Sequence, residues 1–309
     1  MKHAVSVSLG NPARDKRVEV DFAGERVLVE RIGTGGDAKK ARALFAELDG
    51  KVDALGVGGI DMYVRLGKRE YPIRAGLKLV QDVRETPIVD GRALKYVLER
   101  RVFELAGDAL EDMPRFRQAF MPFSIDRLGL AEAISTIADE VIFGDLMFAL
   151  EIPIPVRGLP SLYNWARVLL PIVGFLPLSA ILPPGTKGEE RKPKHVKFWQ
   201  EADLIVGDMH YIYTYAPEDL CGKWIITNTT TPENIELLRE RGVQRVITTT
   251  PRYGDRSFGV NMMEAALTAY AGKGRPLSDA ELGGLVEELA LRPSIETLNA
   301  SARPANRFP

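Results

Sequence analysis

The sequence predicts an α/β protein: an N-terminal mixed α/β domain followed by a C-terminal Rossmann-like parallel sheet. Three observations predict it. Short apolar runs at Leu204–Val206, Trp224–Thr227 and Val246–Thr249 each end in a polar or glycine-containing turn. Two of those turns lead into helix-like segments, which is the strand–loop–helix grammar of an open parallel sheet. Polar residues collect at the carboxyl ends of the runs, at Gly207-Asp208, Asn228-Thr229 and Thr249-Thr250-Pro251-Arg252, where such sheets bind ligands.

Residues 1–110 read as a ligand-binding α/β domain. Ala4–Leu9 alternates Val and Ser as a strand does. Arg17–Phe22 and Glu25–Glu30 flank Ala23-Gly24, a hairpin pattern. Asp37 is a good N-cap for the helical stretch that closes at Gly50, and Val52–Val57 is a strand ending at Gly58-Gly59. Tyr63–Leu66 and Glu70–Ile73 form a second hairpin around Gly67-Lys68. Ala75–Arg84 reads as helix, Thr86–Gly91 as a strand entering a turn, and Arg92–Ala106 as one long amphipathic helix with Leu94, Val97, Leu98, Val102 and Leu105 on one face.

The charged, irregular stretch Gly107–Arg117 marks the domain boundary. Residues 111–275 read as a Rossmann-like nucleotide-binding domain with a sheet of about five strands. Gln118–Ile125 is the first strand, Leu130–Ala138 a helix, and Glu140–Phe143 a strand ending at Gly144-Asp145. An apolar insertion at 160–185 interrupts the pattern. Its core, Trp165–Pro184, contains Arg167 and prolines 171, 177, 183 and 184, too many for a spanning helix. It is expected to be a pair of short buried helices or a subunit interface; a lid, or peripheral membrane contact through 165–184, is the alternative. Pro183–His195 reads as an exposed loop, and residues 276–309 as a helix over Ser278–Leu291 plus an extended or disordered tail.

Composition narrows the function classes. With 41 basic and 42 acidic residues in 309, no global field draws the chain to nucleic acid. Cys221 is the only cysteine and the three histidines are scattered, so no metal site is expected. The strand pattern begins at His3, without a signal-peptide pattern, and a reducing, cytoplasmic setting is inferred.

Candidate cofactor-binding residues follow from the strand ends. Asp145 lies about 20 residues after the Ser124–Gly129 turn, the spacing at which an acid meets a ribose hydroxyl; it could equally cap the next helix. That turn holds one glycine, with Asp126 disfavouring a phosphate and Arg127 able to pair with one. Asp208 repeats the Gly-Asp pattern, and Asn228, Thr249 and Arg252 offer an amide, a hydroxyl and a guanidinium for an anionic group. In the first domain, Ser6 and Ser8 share a strand face and can hold a polyol or carboxylate, while Asp61 and Asp90 are candidate acid/base carboxylates. Asn261 is a further candidate substrate ligand.

Several of these pieces together resemble the shikimate/quinate dehydrogenase family, including bacterial proteins labelled quinate 5-dehydrogenase. Ser6-Val7-Ser8 resembles its substrate-carboxylate strand, and Pro87–Gly91 the turn that carries its catalytic aspartate, here Asp90. Ala202–Val206, Pro232–Gly242 and Gly259–Ala265 resemble its late strand, its Thr-Pro helix and its closing helix. The family's catalytic-lysine motif, its glycine-rich cofactor turn and its late glutamine have no match here. The resemblance implies an oxidoreductase using NAD or NADP on a hydroxylated carboxylic ring acid. Its alternative is a non-redox protein on the same scaffold, a sensor or transferase, binding a phosphorylated, sugar or lipid-linked ligand. A homo-oligomer is expected separately, with the apolar 165–184 segment as its interface in one reading of that segment.

Overall fold

The computed structural model describes residues 1–175, 191–253, 256–257 and 259–300, leaving the side chains of Val173, Arg252, Tyr253, Arg256 and Ser257 outside the description. The chain divides into two compact units. The first comprises Met1–Val97, Arg167–Gly185 and Gly259–Leu291; the second comprises Leu98–Ala166, Thr186–Phe258 and Arg292–Pro309. Both are α/β.

The first unit is built on strands β1 (Lys2–Ser8), β2 (Lys16–Phe22), β3 (Glu25–Gly33), β4 (Ala54–Gly58) and β7 (Ile88–Val89), in the order β2-β3-β1-β4-β7. Only the β2–β3 hairpin is antiparallel. Strands β5 (Tyr63–Leu66) and β6 (Arg69–Pro72) form the second hairpin. Helix α1 (Ala38–Leu48) starts where Asp37 accepts from the amides of Lys39 and Lys40, the N-cap expected from the sequence. Helix α2 is only Arg74–Leu79, shorter than the predicted Ala75–Arg84. The predicted helix Arg92–Ala106 is two, α3 (Arg92–Arg100) and α4 (Val102–Ala106): Arg101 leaves helical geometry at ψ 14° although the apolar periodicity runs on.

The second unit carries a seven-stranded sheet. Five strands are parallel: β8 (Phe116–Met121), β9 (Ala138–Phe143), β11 (Leu204–Val206), β12 (Trp224–Thr227) and β13 (Arg245–Thr248). Their order, β9-β8-β11-β12-β13, is that of a doubly wound sheet whose chain direction switches between β8 and β11. Two short antiparallel edge strands, β10 (Val156–Arg157) and β16 (Ser294–Thr297), extend the expected sheet of about five. The helices are α5 (Leu128–Ile134), α6 (Asp145–Ala149), α7 (Leu159–Val173, in this unit through Ala166), α8 (Val196–Glu201), α9 (Met209–Tyr215) and α10 (Pro232–Glu240). Strands β14 (Arg252–Tyr253) and β15 (Arg256–Ser257) make a small hairpin. One core cluster joins Phe120, Trp199, Ile205, Ile225 and Val246, with Phe120 and Trp199 edge to face at 5.1 Å.

Helix α7 makes up the described part of the apolar insertion. In its described part the insertion is one helix through Pro171, and Val168 and Ile172 are 63% and 61% exposed. The 3.6-residue period explains this: Trp165, Val168 and Ile172 fall on an outward stripe while Leu162, Ala166 and Leu170 are buried. The rest of 165–184, most of the loop to His195 and the tail after Ala300 lie outside the described residues. No helix among the described residues is long and apolar enough to cross a membrane.

Late in the chain, α11 (Val260–Ala271) returns to the first unit and packs on β1, β3 and β4. Gly91 makes its approach possible: at φ +88° a Cβ there would lie 2.5 Å from the Asn261 amide. Helix α12 (Asp279–Glu288) opens with a Ser278/Glu281 capping box.

Candidate functional site

Because β8, β9, β11, β12 and β13 are parallel, their carboxyl ends share one edge of the second unit, and the chain emerges there as five polar turns. The turn after β8, Phe123–Arg127, is closed by Asp145 from the end of β9. The Asp145 carboxylate accepts from the amides of Ser124 and Ile125, both at 2.9 Å, and from the Ser124 hydroxyl at 2.6 Å. The neighbouring Gly144 permits this, since a Cβ there would meet the Pro122 carbonyl at 2.8 Å. Burial pushes the Asp145 carboxyl up to about 6, against the lowering effect of the Ser124 and Ile125 hydrogen bonds.

Arg127 lies at the switch point, its side chain 5% exposed. It donates to Glu99, which is also buried, and through Nη2 to Asp208 Oδ2 at 2.9 Å; Asp126 stands 3.9 Å from its Nε. Burial alone would lower the guanidinium pKa, but Glu99, Asp126 and Asp208 together hold it well above its ordinary value. Asp208 caps α9 through the His210 amide at 2.8 Å, and its second oxygen also accepts from Asn228 Nδ2 at 2.8 Å. Asn228 in turn accepts from the Met209 amide and the Thr227 hydroxyl. The turn after β13 follows: Thr249 and Thr250 are buried, their amides donate to Thr227 and Asn228, and Thr250 Oγ1 has no hydrogen-bond partner among the described residues. The Arg252 side chain lies outside the described residues.

An aromatic pair borders these polar groups. Phe123 and Tyr211 stack at 5.4 Å with their planes 7° apart. Burial raises the Tyr211 hydroxyl, as do Asp126, Tyr215, Asp145 and Asp208, so the phenol stays neutral beside three carboxylates. Sequence reasoning singled out neither ring as functional. The edge thus gathers three carboxylates, Glu99, Asp126 and Asp208, around the Arg127 guanidinium, with a fourth, Asp145, interacting with Asp126. Such a set accepts hydrogen bonds and repels a pyrophosphate, and the turn amides a phosphate would use are taken by Asp145. Among the described residues no group of three His, Cys, Asp or Glu is arranged to hold a metal ion.

The remaining predicted residues belong to the first unit. Ser6 Oγ accepts from Asn261 Nδ2 at 2.6 Å, and Ser8 Oγ accepts from Arg31 Nη2 and the Gly10 amide, both at 3.1 Å. Asp90 accepts from the Met62 amide at 2.8 Å and the Arg92 amide at 3.2 Å, so it ties the Asp61–Met62 loop to the start of α3. Asp61 itself faces Lys95 at 3.6 Å. Glu264, missed in the sequence reading, is 3% exposed and accepts from the Leu94 amide at 3.0 Å. Burial pushes it up to about 8; Asp90 adds to this, and the Leu94 hydrogen bond and Arg92 oppose it. A lone carboxylate in the apolar run Val260–Ala271 was the available signal.

Comparison with known proteins gives two family matches. Residues 93–298 match a family described as "Domain of unknown function (DUF8754)", and residues 3–90 one described as "Domain of unknown function (DUF8753)". No curated protein matches the chain in sequence. Among solved structures, an NAD-dependent malic enzyme from Thermotoga maritima is 14% identical, over 88% of this chain and 72% of its own, with a TM-score of 0.37. GanP, a glucose-galactose binding protein from Geobacillus stearothermophilus, is 9% identical, over 96% and 97%, with a TM-score of 0.35. A LacI-type transcriptional regulator from Bacteroides fragilis is 8% identical, over 97% and 96%, with a TM-score of 0.30. Likenesses this slight carry no argument about activity.

Proposed function

Because the chain belongs to the DUF8754 family, whose description carries no activity, we propose a function from the site itself: the second unit binds a polyhydroxylated ligand, a sugar or a hydroxylated ring, without redox chemistry. The ligand lies at the carboxyl ends of β8, β11 and β12. The observation that carries this reading is Asp208. Its side chain is 34% exposed, yet Arg127 and Asn228 hold it in one orientation. A fixed, partly solvated carboxylate flanked by an amide suits paired hydroxyls, and the Phe123–Tyr211 stack supplies an apolar surface for a ring's C–H face. The excess of acceptors favours a ligand rich in O–H donors.

Calorimetric titration with a panel of monosaccharides, polyols, quinate, shikimate, NAD and NADP tests this. Binding of a hydroxylated ligand, weakened at least tenfold in Asp208→Asn, is expected, in line with about 1.5–3 kcal/mol for a hydrogen bond to a charged group. Binding of NAD or NADP with no response to any hydroxylated compound would overturn it. That outcome would favour a second reading, an NAD(P)-dependent oxidoreductase acting on quinate, shikimate or a similar acid. Its support is the doubly wound sheet with Asp145 at the end of the second strand. It requires Asp145 to release Ser124 and Ile125, and Asp90 to exchange Met62 or Arg92 for a substrate hydroxyl.

A further inference from the structure

At the amino ends of β12 and β13, the opposite edge of the second unit's sheet, two arginines share one carboxylate. Arg191 donates to Glu218 Oε1 and, through Nη2, to the Ala216 carbonyl at 3.3 Å, just past the end of α9. Arg241, the C-cap of α10, approaches Glu218 Oε2 with its Nε at 3.6 Å, beyond hydrogen-bond reach. Its side chain is 2% exposed, whereas that of Glu218 is 74% exposed. Among the described residues none of Arg241 Nε, Nη1 and Nη2 has a hydrogen-bond partner, and neither do the buried Arg191 Nε and the buried Oγ1 of Thr214, whose carbonyl accepts from the Lys192 amide at 2.8 Å.

This is an unusual concentration of unused donors. Buried polar groups are almost always satisfied, and a guanidinium is the costliest group to leave unmade. Burial and the neighbouring Arg191 both lower the Arg241 pKa, and Glu218 and Tyr213 only partly restore it. Neutralising a helix end does not account for the Arg241 side chain: an arginine in that role donates its guanidinium to the last carbonyls, as Arg191 does to Ala216, whereas among the described residues only the backbone N–H of Arg241 does so.

We propose that Arg241, Arg191 and Thr214 form an oxyanion-binding site, distinct from the strand-end site, for a phosphoryl or carboxylate group. Arg241 takes two oxygens through its planar fork, and Arg191 Nε and the Thr214 hydroxyl supply further donors. The exposed Glu218 is the group that the incoming anion displaces. The site suits either a free anion or the charged end of a larger metabolite.

Thermal unfolding of the full chain in sodium phosphate, sodium acetate and sodium chloride, at matched ionic strength, tests the proposal. The melting temperature should rise by roughly 2–4 °C for each tenfold increase in phosphate or acetate above its dissociation constant. Whichever of the two raises it identifies the group as phosphoryl or carboxylate. Arg241→Met should abolish the dependence, and Glu218→Gln should move the rise to lower anion concentration. Arg241→Lys, which keeps the charge and loses the fork, serves if the Met variant does not fold; it should bind at least several-fold more weakly. The same slope in the wild type and the Arg241 variants would mean general salting-out and overturn the proposal. So would a flat response to both anions.

Discussion

Replacing Asp145 with Asn tests whether this carboxyl closes the Ser124 turn at an electrostatic cost. Its pKa is raised from 3.8 to about 6 in the folded protein, which corresponds to at most about 3 kcal/mol. A carboxyl whose folded pKa is raised contributes stability that is complete below 3.8 and is lost as pH climbs through about 6. At pH 8 the wild type therefore carries the cost of an ionised, partly buried carboxylate. Asn presents one oxygen to the Ser124 and Ile125 amides and an N–H to the Ser124 hydroxyl, which is the hydrogen-bonding pattern of the protonated acid. Asp145→Asn should thus equal or exceed wild-type stability at pH 8, by up to about 2 kcal/mol after allowing for partial solvation. Its stability should fall less steeply than that of the wild type between pH 3.8 and 6, and run parallel to it above. Urea unfolding followed by tryptophan fluorescence at half-unit pH steps measures both quantities, and subtracting the two curves cancels every other titrating group. A variant curve with the wild-type slope between pH 3.8 and 6, or a loss above about 2 kcal/mol at pH 8, would refute the reasoning.

Three further outcomes are expected. Arg127→Met should lose about 3–5 kcal/mol in urea unfolding, because it deprives the buried Glu99 of its guanidinium; adding Glu99→Gln should recover most of that loss. Glu264, raised to about 8, contributes stability below 4.5 that is lost as pH rises through 8. Glu264→Gln should therefore remove the decline in melting temperature between pH 4.5 and 8, leaving unchanged the slope above pH 8, where the group is ionised in both states. Gly91→Ala should cost more than about 2 kcal/mol by chemical denaturation, since the new Cβ meets the Asn261 amide at 2.5 Å and the backbone is left-handed there.

The fold was legible in the sequence where local chemistry decides it. Asp37, Thr231 with Pro232, and Ser278 mark helix starts, and each caps as its type predicts. The short buried strands announce themselves as apolar runs between turns. What escaped was set by tertiary context. The edge strand Ser294–Thr297 is too polar and short to read as sheet, and it exists because Arg245–Thr248 offers it a partner. The break at Arg101 lies inside an unbroken apolar period. The same holds at the site. The strand ends pointed to Ser124, Asp145, Asp208 and Asn228, and the structure links them through hydrogen bonds. But the sequence did not reveal that Arg127 faces carboxylates 28 residues before it and 81 after it. Nor could the spacing of Asp145 from its turn say that the carboxylate points back into that turn.

The return of α11 to the first unit also shapes how the protein is made. Ser6 and Asn261 are 255 residues apart in sequence. At a synthesis rate of roughly 5–20 residues per second, about 13–50 s pass between the emergence of β1 and the arrival of the helix that covers it. Through that interval the apolar side chains of β1, β3 and β4 lack one of their covers, so ribosome-bound chains should engage chaperones. Fragments ending before residue 260 should aggregate even though they contain every strand of the first unit's sheet.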